Sequence, residues 1–181
     1  MCGNTYLMAK EFYNNFSEHE VDVDLYRVKD EDIAKIAKIF PPAQDYLEDI
    51  KEIPVFANKD RILESDYLFL GSPTYFGNVS AEMKAFMDSL SCFWASSELA
   101  GKKLVAFSSC ATPEGGGGLC LQAINTFAQH MGMVPVSIPN NLIPDISTSA
   151  YGLLHFAGES NDRRIDDAMK KSIEAVVNMI V

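Results

Sequence analysis

The sequence predicts an α/β domain, a parallel sheet covered by helices on both faces. Three observations carry this. The runs Tyr67-Leu68-Phe69-Leu70-Gly71 and Leu104 to Phe107 are continuously apolar, short and bounded by turn residues, as strands buried on both faces are. Segments of helical apolar spacing alternate with such runs, which is the pattern of crossover-connected parallel strands. At 181 residues, 48% apolar and 22% charged, the chain is long enough for one well-cored domain and short for two.

In chain order, Asn4 or Thr5 can cap a first helix whose inward positions are Tyr6, Ala9, Phe12/Tyr13 and Phe16. Val21, Val23 and Leu25 alternate with Asp22, Asp24 and Tyr26, the signature of a half-exposed strand at a sheet edge. Residues 30–58 read as a charged surface insertion around Pro41-Pro42, helical or irregular, and 58–64 as a short helix. The strand at 67–71 leads through a Gly/Pro/Asn-rich loop to a helix over 80–90, with Met83, Phe86, Met87 and Leu90 inward. A second buried strand, 104–107, runs into Ser108-Ser109; a glycine loop, Gly115 to Gly118, opens a helix over 119–131. A strand is expected at 134–138, mostly loop at 140–160, and a last helix from near Asp162 burying Ile165, Ala168/Met169, Ile173, Val176/Val177 and Ile180. No internal repeat or domain boundary is visible, so residues 1–181 form a single domain.

Lys plus Arg is 15 against 25 for Asp plus Glu, a net charge of −10. Such a surface repels phosphate backbones, so nucleic acid is not expected as a partner. No apolar run approaches the ~20 residues of a membrane span, and Lys10 and Glu11 interrupt the place of a secretion signal's apolar stretch. The cysteines Cys2, Cys92, Cys110 and Cys120 have neither zinc nor iron–sulfur spacing, so no metal site is expected. Unpaired thiols fit a reducing, cytoplasmic setting. Cys92 and Cys120 read as buried thiols, and the acidic stretch from Asp22 to Glu52 as a solvated face.

In open α/β sheets ligands bind beyond the C-terminal strand ends. Three loops answer to that place. Gly71-Ser72-Pro73-Thr74-Tyr75-Phe76-Gly77-Asn78 offers a bent backbone with an aromatic wall for a flat heteroaromatic ligand. Ser108 to Gly118 is built of small residues, so a ligand can approach its backbone N–H groups. Gly3-Asn4-Thr5 stands directly before a helix, where a phosphate can bind. Singly, each could be a turn, a linker or a cap; the three in this order are far more specific.

Together they resemble the three FMN-binding loops of flavodoxin-like proteins. The block Gly71 to Asp88 is shared with FMN reductases and iron–sulfur flavoproteins. Trp94-Ala95-Ser96, Gly101-Lys102, Phe107-Ser108-Ser109, His130 with Gly132-Met133-Val134, and Tyr151-Gly152 followed by Ala157-Gly158 are similar to the WrbA-type NAD(P)H:quinone oxidoreductases. The resemblance implies a flavodoxin-like three-layer α/β/α fold. It further implies FMN as cofactor, NAD(P)H as reductant, a quinone as acceptor, and a homotetramer or dimer. By that resemblance Gly3, Asn4 and Thr5 hold the FMN phosphate, and Thr74, Tyr75, Phe76, Gly77 and Asn78 line the isoalloxazine. Ser109, Cys110, Ala111, Thr112, Gly115 and Gly116 bond its other edge, His130 sits near its polar edge, and Trp94 walls the substrate pocket. The flavin carries the chemistry, and no side chain is assigned as catalytic. The family commonly has Arg where Tyr75 stands, and Pro113-Glu114 lengthens the third loop. The family's first strand, and the Ser/Thr that opens its phosphate loop, have no counterpart ahead of Gly3. The alternatives from other classes are a flavodoxin-type electron carrier and a flavin-poor relic.

Overall fold

The computed structural model describes residues 3–181. A parallel sheet forms from β1 (Tyr67–Pro73), β2 (Lys103–Cys110), β3 (Val134–Pro135) and β4 (Leu153–Phe156). β1 pairs with β2 over its whole length, from Tyr67 opposite Lys103 to Pro73 opposite Ser109. β3 and β4 share the other edge of β2: β3 meets Lys103 and Leu104, and β4 meets Phe107 to Cys110. The loop 136–152 leaves and re-enters this edge. Gly152 makes the return possible, because a β-carbon there would lie 2.1 Å from the Ala106 carbonyl oxygen.

Side chains of β2 alternate between two cores. Leu104 and Ala106 pack on α5 (Ala81–Ser89) and α6 (Gly117–His130) through Met83, Met87, Leu121 and Ile124. Val105 and Phe107 pack on α1 (Asn4–Glu18) and α7 (Asp167–Ile180) through Met8, Phe12, Ile173 and Val177. β2 is therefore apolar on both faces, as its sequence predicts. α5 is capped by Ser80, whose Oγ accepts the Met83 N–H at 3.2 Å, and α7 by Asp166, which accepts the Met169 N–H at 2.9 Å. Residues 30–58 carry α2 (Ile33–Ile39), a 3₁₀ turn at Pro41–Tyr46 and α3 (Leu47–Glu52); α4 (Asp60–Glu64) precedes β1. No helix among the described residues is long and apolar enough to cross a membrane.

Several expectations change. Residues 21–25 keep their alternating exposure but join no ladder; only Arg27 bridges, to Val55. Residues 153–156, expected as loop, form β4, because pairing with β2 supplies the partner that a short isolated run lacks. The strand expected at 134–138 closes after Pro135, and α7 starts at Asp167 rather than near Asp162. Ser108 to Cys110 continue β2, and α6 begins two residues early, at Gly117. Cys92 is exposed, not buried.

Candidate functional site

Parallel strands place the loops after β1 and β2 at one end of the sheet, and α1 starts there too. α1 is entered through Gly3, at φ +87°; a β-carbon on it would also strike the Tyr46 ring at 2.5 Å. The Leu7 N–H bonds the Gly3 carbonyl at 2.9 Å, so the amides of Asn4, Thr5 and Tyr6 have no acceptor within the helix. Asn4 does not cap α1. Its side chain is buried, Nδ2 donates to the Arg163 carbonyl at 3.1 Å, and Oδ1 is buried without a partner. The hydroxyls of Thr5 and Ser109 are 3.0 Å apart, tying α1 to the end of β2.

Asn4, Thr74, Ser109, Cys110 and Ala111 line one pocket of about 150 Å³, together with Pro73, Ala157 and Asn161. Beneath it runs a hydroxyl chain: Thr74 Oγ1 lies 2.9 Å from Ser108 Oγ, which donates to the Ser72 carbonyl at 2.7 Å. The Thr74 N–H donates to the Ser109 carbonyl at 2.8 Å and joins two loops. They touch again through glycines, since a β-carbon on Gly116 (φ +80°) would lie 2.8 Å from Gly77 Cα. Tyr75 and Asn78 exchange backbone hydrogen bonds at 2.8 and 2.9 Å, closing a turn that projects Phe76 wholly into solvent at φ +50°.

Other expected site residues stand elsewhere. Thr112 and Gly115 are spent on the 3₁₀ turn Pro113–Gly115, with the Gly115 N–H bonding the Thr112 carbonyl at 2.9 Å; neither lines the pocket. His130 ends α6, about 20 Å of helix from Gly117. It is exposed and lies at the far end of the sheet from its own chain's loops. Trp94 follows α5 before the chain enters β2, so it too stands at that opposite end, 62% exposed. A parallel crossover forces this: a helix leaving the C-terminal strand ends must return to the N-terminal ones.

The thiols nearby are inert. Burial pushes the Cys110 thiol up, against a hydrogen bond from the Gly117 backbone, and Cys110 Sγ donates to the Thr112 carbonyl at 3.2 Å. Burial also raises Cys120, against hydrogen bonds from the hydroxyls of Ser108, Thr74 and Ser72. Both are neutral fillers at neutral pH. No cluster among the described residues could hold a metal ion. Ala157 and Asn161 went unseen as site residues in the sequence, because they follow the unexpected β4. The Ala157-Gly158 pair was the available signal.

Residues 2–145 match the profile of the NADPH-dependent FMN reductase family. A protein of Geobacter sulfurreducens called NAD(P)H dehydrogenase (quinone) is 35% identical over 117 residues, 61% of this chain and 57% of its own. One of that name from Chromohalobacter salexigens is 33% identical over 148 residues, 78% of this chain and 71% of its own. The chain thus spans little more than half of the first relative. Among solved structures, the WrbA-like flavodoxin of Agrobacterium tumefaciens superposes with a TM-score of 0.60 at 16% identity, over 96% of this chain and 85% of that one. Flavodoxin 2 of Bacillus cereus gives 0.62 at 17%, over 99% and 92%. These likenesses establish a flavodoxin-like fold, and with the profile match across most of its length the chain belongs to the NADPH-dependent FMN reductase family.

Proposed function

We propose that the protein is an FMN-dependent NAD(P)H:quinone oxidoreductase. The observation that carries this reading is the junction pocket, where a buried Asn4 Oδ1 lacks a partner beside the first turn of α1. The residues fit the phosphate and ribityl end of FMN. The first-turn amides of α1 and the positive end of its dipole suit a phosphate, and the free acceptor suits a ribityl hydroxyl. Bound there, FMN would supply the redox chemistry, hydride acceptance from nicotinamide and two-electron transfer to a quinone. This chain's part is to hold and to orient. The Thr5–Ser109 hydroxyl contact and the Thr74–Ser109 backbone bond fix the three loops relative to one another. Phe76 offers an apolar face for a ring, and the raised thiols keep Cys110 and Cys120 from competing as nucleophiles.

Trp94 and His130 cannot reach their own chain's loops, so their expected place beside the ring requires a second copy. Exposed Trp94 suits such a contact, in a homodimer or homotetramer. The test is oxidation of NADH or NADPH by a soluble benzoquinone after FMN addition, with light scattering on the same sample. FMN binding without quinone reduction, in a monomer, would overturn the enzyme in favour of an electron carrier.

A further inference from the structure

The insertion over 30–58 reaches the start of α1. The 3₁₀ turn Pro41–Tyr46 lays the half-buried Tyr46 ring against Gly3, so closely that a β-carbon on that glycine would lie 2.5 Å from it. Tyr6, in the first turn of α1, sets its ring 6.1 Å from that of Tyr46 and donates its hydroxyl to Asp49 at 3.4 Å. The glycine whose left-handed backbone opens α1 is therefore held by a side chain of the insertion.

A second segment closes from the other side. After β4, the Ala157 and Gly158 N–H groups donate to the Cys110 and Ala111 carbonyls, each at 2.8 Å, and the Arg163 N–H returns to the Ala157 carbonyl at 2.9 Å. Asn161, within this loop, lines the 150 Å³ pocket. Arg164 then joins loop and insertion. Its guanidinium lies 4.9 Å from the centre of the Tyr46 ring and donates to the Pro42 carbonyl at 3.0 Å and the Asn161 carbonyl at 3.4 Å, with the Asp45 carboxylate 3.8 Å away. Only 25% of that side chain is exposed. A planar fork that stacks on a ring while its N–H groups serve two carbonyls is arginine's geometry, and lysine cannot reproduce it.

We propose that Arg164 and Tyr46 form a clasp that makes the pocket select a flavin carrying a phosphate. Arg164 is a positioning residue: it acts through Tyr46 on Gly3, and through the Asn161 carbonyl on the loop that lines the pocket. Gly3 stands at φ +87°, and glycine has the widest backbone freedom of any residue. With the clasp closed, the amides of Asn4, Thr5 and Tyr6 keep one direction and an anion meets them already ordered; with it open, binding carries that ordering cost. The turn from Tyr75 to Asn78, which carries Phe76, is closed by its own backbone hydrogen bonds, so the clasp bears on the phosphate end and not on the ring. The clasp presupposes the FMN reading of the pocket and goes beyond it, since it names what separates FMN from riboflavin, the same flavin without the phosphate.

The test is titration with FMN and with riboflavin by fluorescence quenching, on the 181-residue chain and on Arg164→Gln, Arg164→Lys, Tyr46→Leu and Tyr46→Phe. The preference for FMN over riboflavin should fall about tenfold or more in Arg164→Gln and Tyr46→Leu, what a hydrogen bond to a charged group is worth, while riboflavin affinity stays level. Tyr46→Phe keeps the stacked ring and should keep the preference; Arg164→Lys keeps the charge without the fork and should lose most of it. An unchanged preference in Arg164→Gln and Tyr46→Leu would overturn the clasp and leave the FMN reading standing. A preference kept in full by Arg164→Lys would also overturn it, since charge alone would then suffice. Wild type that binds neither flavin would overturn both. Should the variants fail to fold, deuterium exchange on the wild type decides. FMN, and not riboflavin, should slow exchange across 41–46 and 161–164, and equal exchange with the two flavins would overturn the clasp.

Discussion

Phe76 separates binding from stability. Its side chain is wholly exposed and its backbone stands at φ +50°, a region that favours glycine. Truncation to alanine removes no packing, so stability should change by less than about 0.5 kcal/mol. Glycine should do at least as well, since the left-handed conformation costs a non-glycine residue about 1 kcal/mol. Ligand binding should respond differently. A flat ring stacked on one face would cover roughly half of the ~200 Å² that a phenylalanine can bury. At about 25 cal/mol per Å² that is about 2.5 kcal/mol, or roughly fifty- to a hundredfold in Kd. FMN titration by fluorescence quenching, beside thermal melts, reads both quantities. Unchanged FMN affinity in Phe76→Ala would refute the placement of the ring. A large fall in Tm would refute the exposed loop geometry itself.

Gly152→Ala should be severely destabilising, because its β-carbon would meet a backbone oxygen at 2.1 Å and φ is +139°. Overpacking and backbone strain together should cost more than about 3 kcal/mol, a fall of roughly 6–12 °C in Tm; Gly118→Ala, with open space around it, is the matched control. In a Cys2→Ser background, exposed Cys92 should react quickly with a disulfide reagent at pH 8, and Cys110 and Cys120 only as the protein unfolds. Because burial raises both of these thiols above their unfolded value, the unfolded chain loses those protons first. The contribution of these two thiols should therefore be level below about 8.5, the ordinary thiol value, and fall as pH rises past it; denaturant melts from pH 7 to 10 check the sign.

The parts of the fold legible in the sequence are those fixed by local pattern. β2 reads as a strand because Leu104 to Phe107 is apolar throughout, and α5 as a helix because Met83, Phe86, Met87 and Leu90 stand at helical spacing. β4 was not legible, because Leu153 to Phe156 becomes a strand only by pairing with Phe107 to Cys110. Residues 21–25 show the converse: their alternating exposure is there, but a strand also needs a hydrogen-bonded neighbour, and these residues join no ladder. At the candidate site, the reading of the strand-end loops and of the start of α1 named Asn4, Thr74, Ser109, Cys110 and Ala111, and these line one pocket. His130 and Trp94 came from motif resemblance, which gives no direction along the sheet, and they stand at its opposite end.

The start of α1 is held by groups far downstream in sequence, which bears on how well it can hold an anion. Asn4 reaches the Arg163 carbonyl, a carbonyl that His155 Nε2 also meets at 3.0 Å, and the Tyr46 ring lies over Gly3. Asn4→Ala would leave the Arg163 carbonyl still paired with His155. It removes one hydrogen bond worth about 1 kcal/mol and also a buried unsatisfied acceptor costing about 1–3 kcal/mol, so stability should be unchanged or rise by up to about 2 kcal/mol. FMN binding should nevertheless weaken, because the unpaired Oδ1 is the group left for the ligand; a hydrogen bond lost there predicts roughly a tenfold rise in Kd. Asn4→Asp should weaken binding further, since a carboxylate would face the phosphate end across a 150 Å³ pocket. Equal FMN affinity in wild type, Asn4→Ala and Asn4→Asp, measured by calorimetry at one pH, would remove Asn4 from the site and with it the phosphate end at α1.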